Sequence, residues 1–218
     1  MSEQFDGSSP DASASGLSAE QVAQSVFGDR YKYIKLYVDI LRSRGIEWGL
    51  LGPREFDRLW DRHVLNSAAL SSVIAQGVSM ADVGSGAGLP GIPLAILRPD
   101  LEVVLVESLL RRANFLELAV DELRLRDRVT VVRSRAEDWK ATVDVVTCRA
   151  VAPLPKLLAW TKHLWLPQGR LVALKGSSVA DEVDEASRLL DRLHLTAEVL
   201  DVRAHPAAES TTALIVHR

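Results

Sequence analysis

The 218-residue sequence holds a single cysteine, Cys148, so no disulfide can form within the chain. Neither cysteine nor histidine recurs at the spacing that holds a metal ion, and no metal cofactor is expected. No apolar run approaches the roughly 20 residues that span a bilayer, and the polar start MSEQFDGSSPDASASG lacks the basic-then-apolar pattern of a signal peptide. A cytoplasmic protein without membrane contact is therefore expected. Lysine and arginine are missing from residues 1–28, where Glu3, Asp6, Asp11 and Glu20 stand, and the net charge is −3. Strong basicity, the footprint of an autonomous nucleic-acid binder, is also absent. No internal repeat is visible.

What is present reads as one α/β domain with an appendage. Residues 1–17 are rich in Ser, Asp, Ala and Gly and are expected to form a disordered acidic tail. Residues 18–76 read as a helical appendage: Ser18-x-x-Gln21 is a capping-box pattern for a helix through Phe27, and Tyr33, Ile34, Tyr37, Val38 and Leu41 repeat at helical spacing between Arg30 and Arg44. Pro53 at a first turn opens a further helix toward Ile74. From residue 77 the pattern alternates. Strands are expected at residues 78–83, 101–106, 128–133, 143–147 and 170–174, giving five βα units, and two β-prone runs at 197–202 and 211–216 form a closing antiparallel pair. Arg111 to Arg135 carries seven arginines against four carboxylates, a local basic surplus.

The stretch VSMADVGSGAGLPGIPLAI, Val78 to Ile96, places an apolar strand, a glycine turn and a helix in immediate succession. In an open α/β sheet such a turn falls at the carboxyl end of a strand, where ligand crevices form. One dinucleotide-type pattern is present, Gly86-x-Gly88-x-x-Gly91. The first glycine after the strand is Gly84, however, and in that register the last glycine is missing, while Pro90 removes a donor from the first helical turn. A zwitterionic ligand without phosphate fits better. Glu107 ends the second strand 23 residues beyond Gly84, the separation of a carboxylate that accepts from ribose hydroxyls in nicotinamide and methionine-derived nucleosides alike. Asp82 would orient the turn or the ligand's ammonium group. Ala136 and Glu137, after the third strand, stand where an adenine edge would be read.

These residues carry a family resemblance. RHxLNS (Arg62–Ser67), DVGSGAGLPGIPLAI (Asp82–Ile96), RPD (Arg98–Asp100), SLLRRANFL (Ser108–Leu116), SRAED (Ser134–Asp138), CRAVAPL (Cys148–Leu154) and ALKG (Ala173–Gly176) resemble the RsmG (GidB) family from about Tyr31 onward. The resemblance implies a class I, Rossmann-like methyltransferase fold with a mostly parallel seven-stranded sheet, S-adenosyl-L-methionine as cofactor, and N7 of a guanine in bacterial 16S ribosomal RNA as acceptor, within the small subunit or an assembly intermediate. By the resemblance Gly84 and Leu89 line the cofactor site, Ala136 and Glu137 hold the adenine and Arg149 lies at the reaction centre beside the cofactor; with Asp82, Ser85, Gly86, Gly88 and Glu107 of the strand ends and glycine turn, these are the expected cofactor-site residues. Asn66 stands where many members carry Asp and receives no role.

The chemistry is consistent with that reading. Guanine N7 has an in-plane lone pair, so no general base is required. The place after the fourth strand reads CRAVAPLP instead of the (D/N/S)PP(Y/F) segment of exocyclic-amine methylation. Cys148 reads as a small buried residue, not as the nucleophile of pyrimidine C5 methylation. Arg149 either contacts base, phosphate or cofactor carboxylate, or pairs internally with Glu107 or Glu137. Lys175 is a candidate RNA-phosphate contact, and His63 a brace of the appendage against the sheet. The expected RNA surface runs from Arg30 to Arg62 with Arg111, Arg112, Arg133 and Arg135, on a monomer. The alternatives are a same-fold methyltransferase with a small-molecule acceptor, an NAD-dependent oxidoreductase, and a non-catalytic RNA-binding factor.

Overall fold

A computed structural model of the chain describes residues 16–45 and 47–218; the expected tail lies, up to residue 15, outside the described residues. Seven strands form one sheet in the order β3-β2-β1-β4-β5-β7-β6. They are β1 (Ser79–Val83), β2 (Glu102–Val106), β3 (Val129–Val132), β4 (Val145–Arg149), β5 (Arg170–Lys175), β6 (Thr196–Val202) and β7 (Thr211–His217). The first five run parallel, and β7 pairs antiparallel with both β5 and β6. Because β1 pairs with β2 on one side and β4 on the other, the winding reverses there and opens a crevice above the carboxyl ends.

Side chains alternate between two apolar cores, as the strand period requires. Met80, Val103, Leu105, Val145 and Val172 face α1 (Ala19–Phe27), α2 (Tyr31–Arg44), α3 (Asn66–Ala69), α4 (Gly91–Leu97) and α5 (Leu110–Glu122). Ala81, Val106, Val146, Leu171 and Ala173 face α6 (Leu154–Trp165) and α7 (Val179–Leu193), with fully buried Trp165 among them. The capping box at Ser18 and Gln21 is formed as the spacing indicates.

Three expectations change. The helix expected from Pro53 toward Ile74 is instead a 3-10 segment (Pro53–Arg58), a π-helical stretch (Leu59–Leu65), α3 and a second 3-10 segment (Leu70–Val73). Leu59, Trp60, His63, Val64, Leu65 and residues 67–70 are all buried, more than one stripe of a regular helix can hide; the wider π turn rotates the buried face along the segment. The third βα unit lacks its helix, since Ala136–Asp138 form a turn and Trp139 packs into the second core. The fourth strand starts two residues later than expected. Val143 N donates to Leu164 O (2.7 Å) at the end of α6 instead of to a strand, and the ladder with β5 runs from Val145 opposite Arg170 to Arg149 opposite Leu174, which carries Cys148 and Arg149 inside the sheet.

The Arg98-Pro99-Asp100 turn fastens the appendage. Arg98 donates from Nη1 to Ser71 O (3.1 Å) and Ile74 O (3.0 Å), and from Nη2 to Ala75 O (2.8 Å) and Asp100 Oδ2 (2.7 Å). The guanidinium holds the Asp100 carboxyl well below the usual carboxylate range, and Gly77 N donates to the same carboxylate (2.9 Å). Arg98→Met strips three carbonyls of their donor and is expected to cost about 2–4 kcal/mol of stability, read as a lower urea midpoint with unchanged slope. An unchanged midpoint would remove the brace.

Candidate functional site

The glycine turn is held from three sides. From below, Gly84 N and Ser85 N donate to Val106 O (2.9 and 3.2 Å). From the side, Gly86 N donates to Glu107 Oε2 (3.0 Å), while Leu109 N donates to Glu107 Oε1 (2.8 Å). From above, the Tyr37 hydroxyl of α2 donates to Ala87 O (2.7 Å), and Tyr37 is fully buried. Gly84 adopts φ +69°, and a Cβ there would meet Val151 Cγ2 at 2.9 Å. No other residue fits both demands.

Asp82 orients this turn and does not reach the ligand space. It is 0 % exposed, and its Oδ2 accepts from Gly91 N (3.0 Å) at the start of α4. With Pro90 lacking an N–H and Leu89 N bonded to Ser85 O (3.1 Å), the first turn of α4 has no donors left for a pyrophosphate. Gly88 likewise plays a packing role: a Cβ there would strike Ile92 Cδ1 at 2.5 Å and the Tyr37 hydroxyl at 3.2 Å.

Burial pushes the Asp82 carboxyl up to about 7 from 3.8. The folded state thus favours the protonated acid, so this stabilisation is complete below the unfolded pKa and is lost as pH rises through the folded one. The window is roughly pH 4 to 7, with a slope of about 1.4 kcal/mol per unit and a total on the order of 4 kcal/mol. Asp82→Asn keeps an acceptor for Gly91 N and removes the titration. Its stability relative to the parent chain is therefore expected to grow from pH 4 to pH 7 and then level off, as measured by urea unfolding across that range. Parallel pH curves for the two proteins would contradict the burial cost.

Three adjoining cavities open along the carboxyl edge of the strands. The glycine-turn cavity, about 530 Å³, is lined by Gly84, Ser85, Gly86, Leu89, Glu107 and Arg149, together with His63, Leu51 and Arg112. A smaller one of about 240 Å³ shares Gly84, Ser108 and Val151 with it and extends to Ser134, Arg135, Ala136, Glu137 and Trp160. A third, about 510 Å³, shares Arg149, Ala150 and Val151 and is lined beyond them by Arg62, Asn66, Lys175, Glu182 and Thr211. The two larger volumes lie within the roughly 300–1,000 Å³ range of small-molecule sites. The segment Arg149–Val151 is the partition between them. Ala150 within it adopts φ +52°, a conformation that costs a non-glycine residue about 1 kcal/mol or more and that recurs at functional sites.

The structure brings most of the expected residues together. In the small cavity neither Ala136 N–H nor Glu137 N–H is bonded among the described residues, which leaves both for a ligand edge. Arg149 makes no ion pair with Glu107 or Glu137; its Nη1 is buried without a partner, and desolvation and then nearby Arg62 lower its pKa. Lys175 is not free for a phosphate: Nζ donates to Glu182 Oε2 (2.6 Å) and Ala152 O (2.9 Å). His63 bonds through Nε2 to Glu55 (2.7 Å) inside the appendage and not across to the sheet; its Nδ1 is buried without a partner, and desolvation and Arg149 lower its pKa. Cys148 is 2 % exposed, with its thiol pushed up to about 12 by burial, so it offers no thiolate.

The expected basic surface divides. Arg112 and Arg135 line the cavities and Arg133 is exposed beside them, whereas Arg111 is tied to Glu47 O. Arg30 instead lies with Leu123 and Arg128 at the amino ends of the strands, because α2 crosses the sheet face before Tyr37 reaches the turn. Sequence reasoning passed over Asn66, Ala150, Val151 and Glu182. The CRAVAPL motif was a signal for two of these; Glu182 reads as one more acid on an exposed helix.

Solved structures with this fold include an O-methyltransferase of Bacillus cereus in complex with SAH, at TM-score 0.59 and 14 % identity, covering 91 % of this chain and 96 % of that one. A precorrin-6y C5,15-methyltransferase of Geobacter metallireducens matches at TM-score 0.53 and 18 % identity over 77 % and 89 %. Such identities establish the class I methyltransferase architecture alone. Sequence relatives are much nearer. The ribosomal RNA small subunit methyltransferase G of Kineococcus radiotolerans is 54 % identical over 187 residues, 84 % of this chain and 73 % of that protein. Its counterpart in Acidothermus cellulolyticus is 51 % identical over 84 % and 83 %, and that of Mycolicibacterium smegmatis 51 % over 79 % and 75 %. Residues 30–208 match the model of the GidB family, rRNA small subunit methyltransferase G, and with half-identical relatives aligned over most of their length the chain belongs to that family.

Proposed function

We propose that this chain is a monomeric cytoplasmic enzyme that methylates N7 of a guanine in 16S ribosomal RNA, on the small subunit or an assembly intermediate, with S-adenosylmethionine as methyl donor. The observation that carries the reading is the pair of large cavities meeting at Arg149–Val151, one built on the glycine turn and Glu107, the other open beside Asn66 and Lys175. The residues fit the donor. Glu107 keeps unused lone pairs for ribose hydroxyls, the N–H groups of Ala136 and Glu137 await an adenine edge, and the unpartnered Arg149 Nη1 and His63 Nδ1 border the same space.

When bound, S-adenosylmethionine supplies a sulfonium methyl group to a nucleophile placed in line with it. Guanine N7 offers its lone pair in the ring plane, so the chain's task is alignment and exclusion of water. The Arg149–Val151 partition lets the two ligands meet only at its edge, and Arg149 is placed to orient the acceptor or the donor's carboxylate. A base must leave its helix to enter such a pocket.

Calorimetric titration tests the donor half: S-adenosylmethionine is expected to bind and NAD not. Tight NAD binding without response to S-adenosylmethionine would contradict it. The RNA half rests on the exposed Arg133 and Arg135. Charge reversal at both is expected to raise KM for small subunits by about 10-fold or more and to flatten the logarithmic salt dependence by about two, with kcat retained. Unchanged KM and salt slope would place the RNA elsewhere.

A further inference from the structure

The Lys175 cavity contains a polar wall whose hydrogen-bonding capacity is only partly used. Glu182, from α7, lines the cavity just beyond the Arg149–Val151 partition, and its side chain is 19 % exposed. Its Oε2 accepts twice, from Leu154 N at the start of α6 (3.0 Å) and from Lys175 Nζ (2.6 Å). These bonds fix the carboxylate in place. Oε1 receives no hydrogen bond among the described residues. Lys175, 9 % exposed, uses two of its three N–H donors, on Glu182 and on Ala152 O (2.9 Å). The wall therefore presents one fixed acceptor beside one remaining donor.

We propose that Glu182 and Lys175 read the Watson–Crick edge of the acceptor guanine and so determine base specificity; this rests on the function proposed above. Methyl transfer requires N7 to face the partition shared with the glycine-turn cavity. N1–H and N2–H lie on the opposite edge of a purine, with O6 between the two edges. The wall runs on from the partition through Ala152 and Leu154, which Lys175 and Glu182 bond, so a base lying along it sets its N1–H and N2–H donors on Glu182 Oε1 and its O6 on the spare N–H of Lys175. Adenine places an acceptor at N1 and a donor at the sixth position, which sets like against like at both contacts. The Glu182–Lys175 pair thus becomes a specificity element, and Lys175 contacts the base instead of a phosphate.

The isosteric variant Glu182→Gln separates recognition from structure. Its amide oxygen can keep the bonds of Oε2, while its NH₂ replaces the acceptor at Oε1 by a donor. Small subunits rebuilt with guanine or inosine at the methylated position are the substrates, since inosine lacks only the N2 amino group. The parent enzyme is expected to prefer guanine by roughly 10–100-fold in kcat/KM, the value of a hydrogen bond to a charged group. E182Q is expected to lose a similar factor on guanine and to treat the two substrates within about 3-fold. Equal rates of the parent enzyme on both, or an equal loss by E182Q on both, would overturn the assignment. If the parent enzyme methylates neither particle, the proposed function fails. Base reading is then judged by titrating guanosine and inosine 5′-monophosphates onto the protein, where preference for guanosine sustains it and equal affinity overturns it.

Discussion

Arg149→Met is expected to lower methyl transfer to small subunits by about 100- to 1,000-fold while leaving the folded chain more stable than its parent. The reason for the loss is position: Arg149 belongs to the partition shared by the two large cavities and ends the strand that flanks β1 at the winding reversal. The reason for the gain is burial. The guanidinium has an unpartnered Nη1, makes no ion pair among the described residues, and is held below its ordinary pKa first by desolvation. Buried charge without compensation opposes folding, and an apolar side chain of similar length is expected to relieve about 1–3 kcal/mol of that cost. Urea unfolding and single-turnover transfer on the same preparation check both halves. A variant that is less stable would mean that Arg149 is a structural brace, and one that is fully active would remove it from the reaction centre.

Glu107→Ala is expected to weaken S-adenosylmethionine binding by about 100-fold or more. Glu107 is 4 % exposed and gives one oxygen to Gly86 N and the other to Leu109 N, so a single carboxylate fixes both the glycine turn and the start of α5. The same group borders the glycine-turn cavity and keeps lone pairs unused by Gly86 N and Leu109 N, which is the basis for the proposed ribose contact. Removing it leaves two backbone donors unsatisfied and deletes the ribose contact together. Glu107→Gln is no rescue, because its NH₂ must oppose either Gly86 N or Leu109 N. Calorimetry measures the loss, and affinity within about 3-fold of the parent would show that the ribose is held by other groups.

What the sequence made legible was local. The register of the glycine turn, the strand-end position of Glu107 and the turn at Ala136–Glu137 follow from spacing along the chain, and the structure places all three around adjoining cavities. The helix α7, Val179–Leu193, is legible in the same way, because Val179, Val183, Ala186 and Leu190 recur at helical spacing. The rest depends on contacts distant in sequence. Nothing local marks Glu182 as the partner of Lys175 or as the anchor of Leu154, 28 residues away. The left-handed backbone of Ala150 has no glycine or asparagine to announce it. Tyr37 looked like one more core residue, yet its hydroxyl crosses 50 residues to pin the turn at Ala87. Arg149 is legible as a residue beyond a strand; its pairing with Leu174 of β5, distant in sequence, puts it inside the sheet and between two cavities.

The most direct measurement is transfer of labelled methyl from S-adenosylmethionine to small subunits lacking the modification, followed by strand scission selective for 7-methylguanosine. The expected result is label in the RNA and scission at one guanine, with both lowered together by about 100-fold or more in Arg149→Met. Label on an exocyclic amine or a ribose, or no label on RNA from protein that binds the donor, would contradict a site built to present guanine N7.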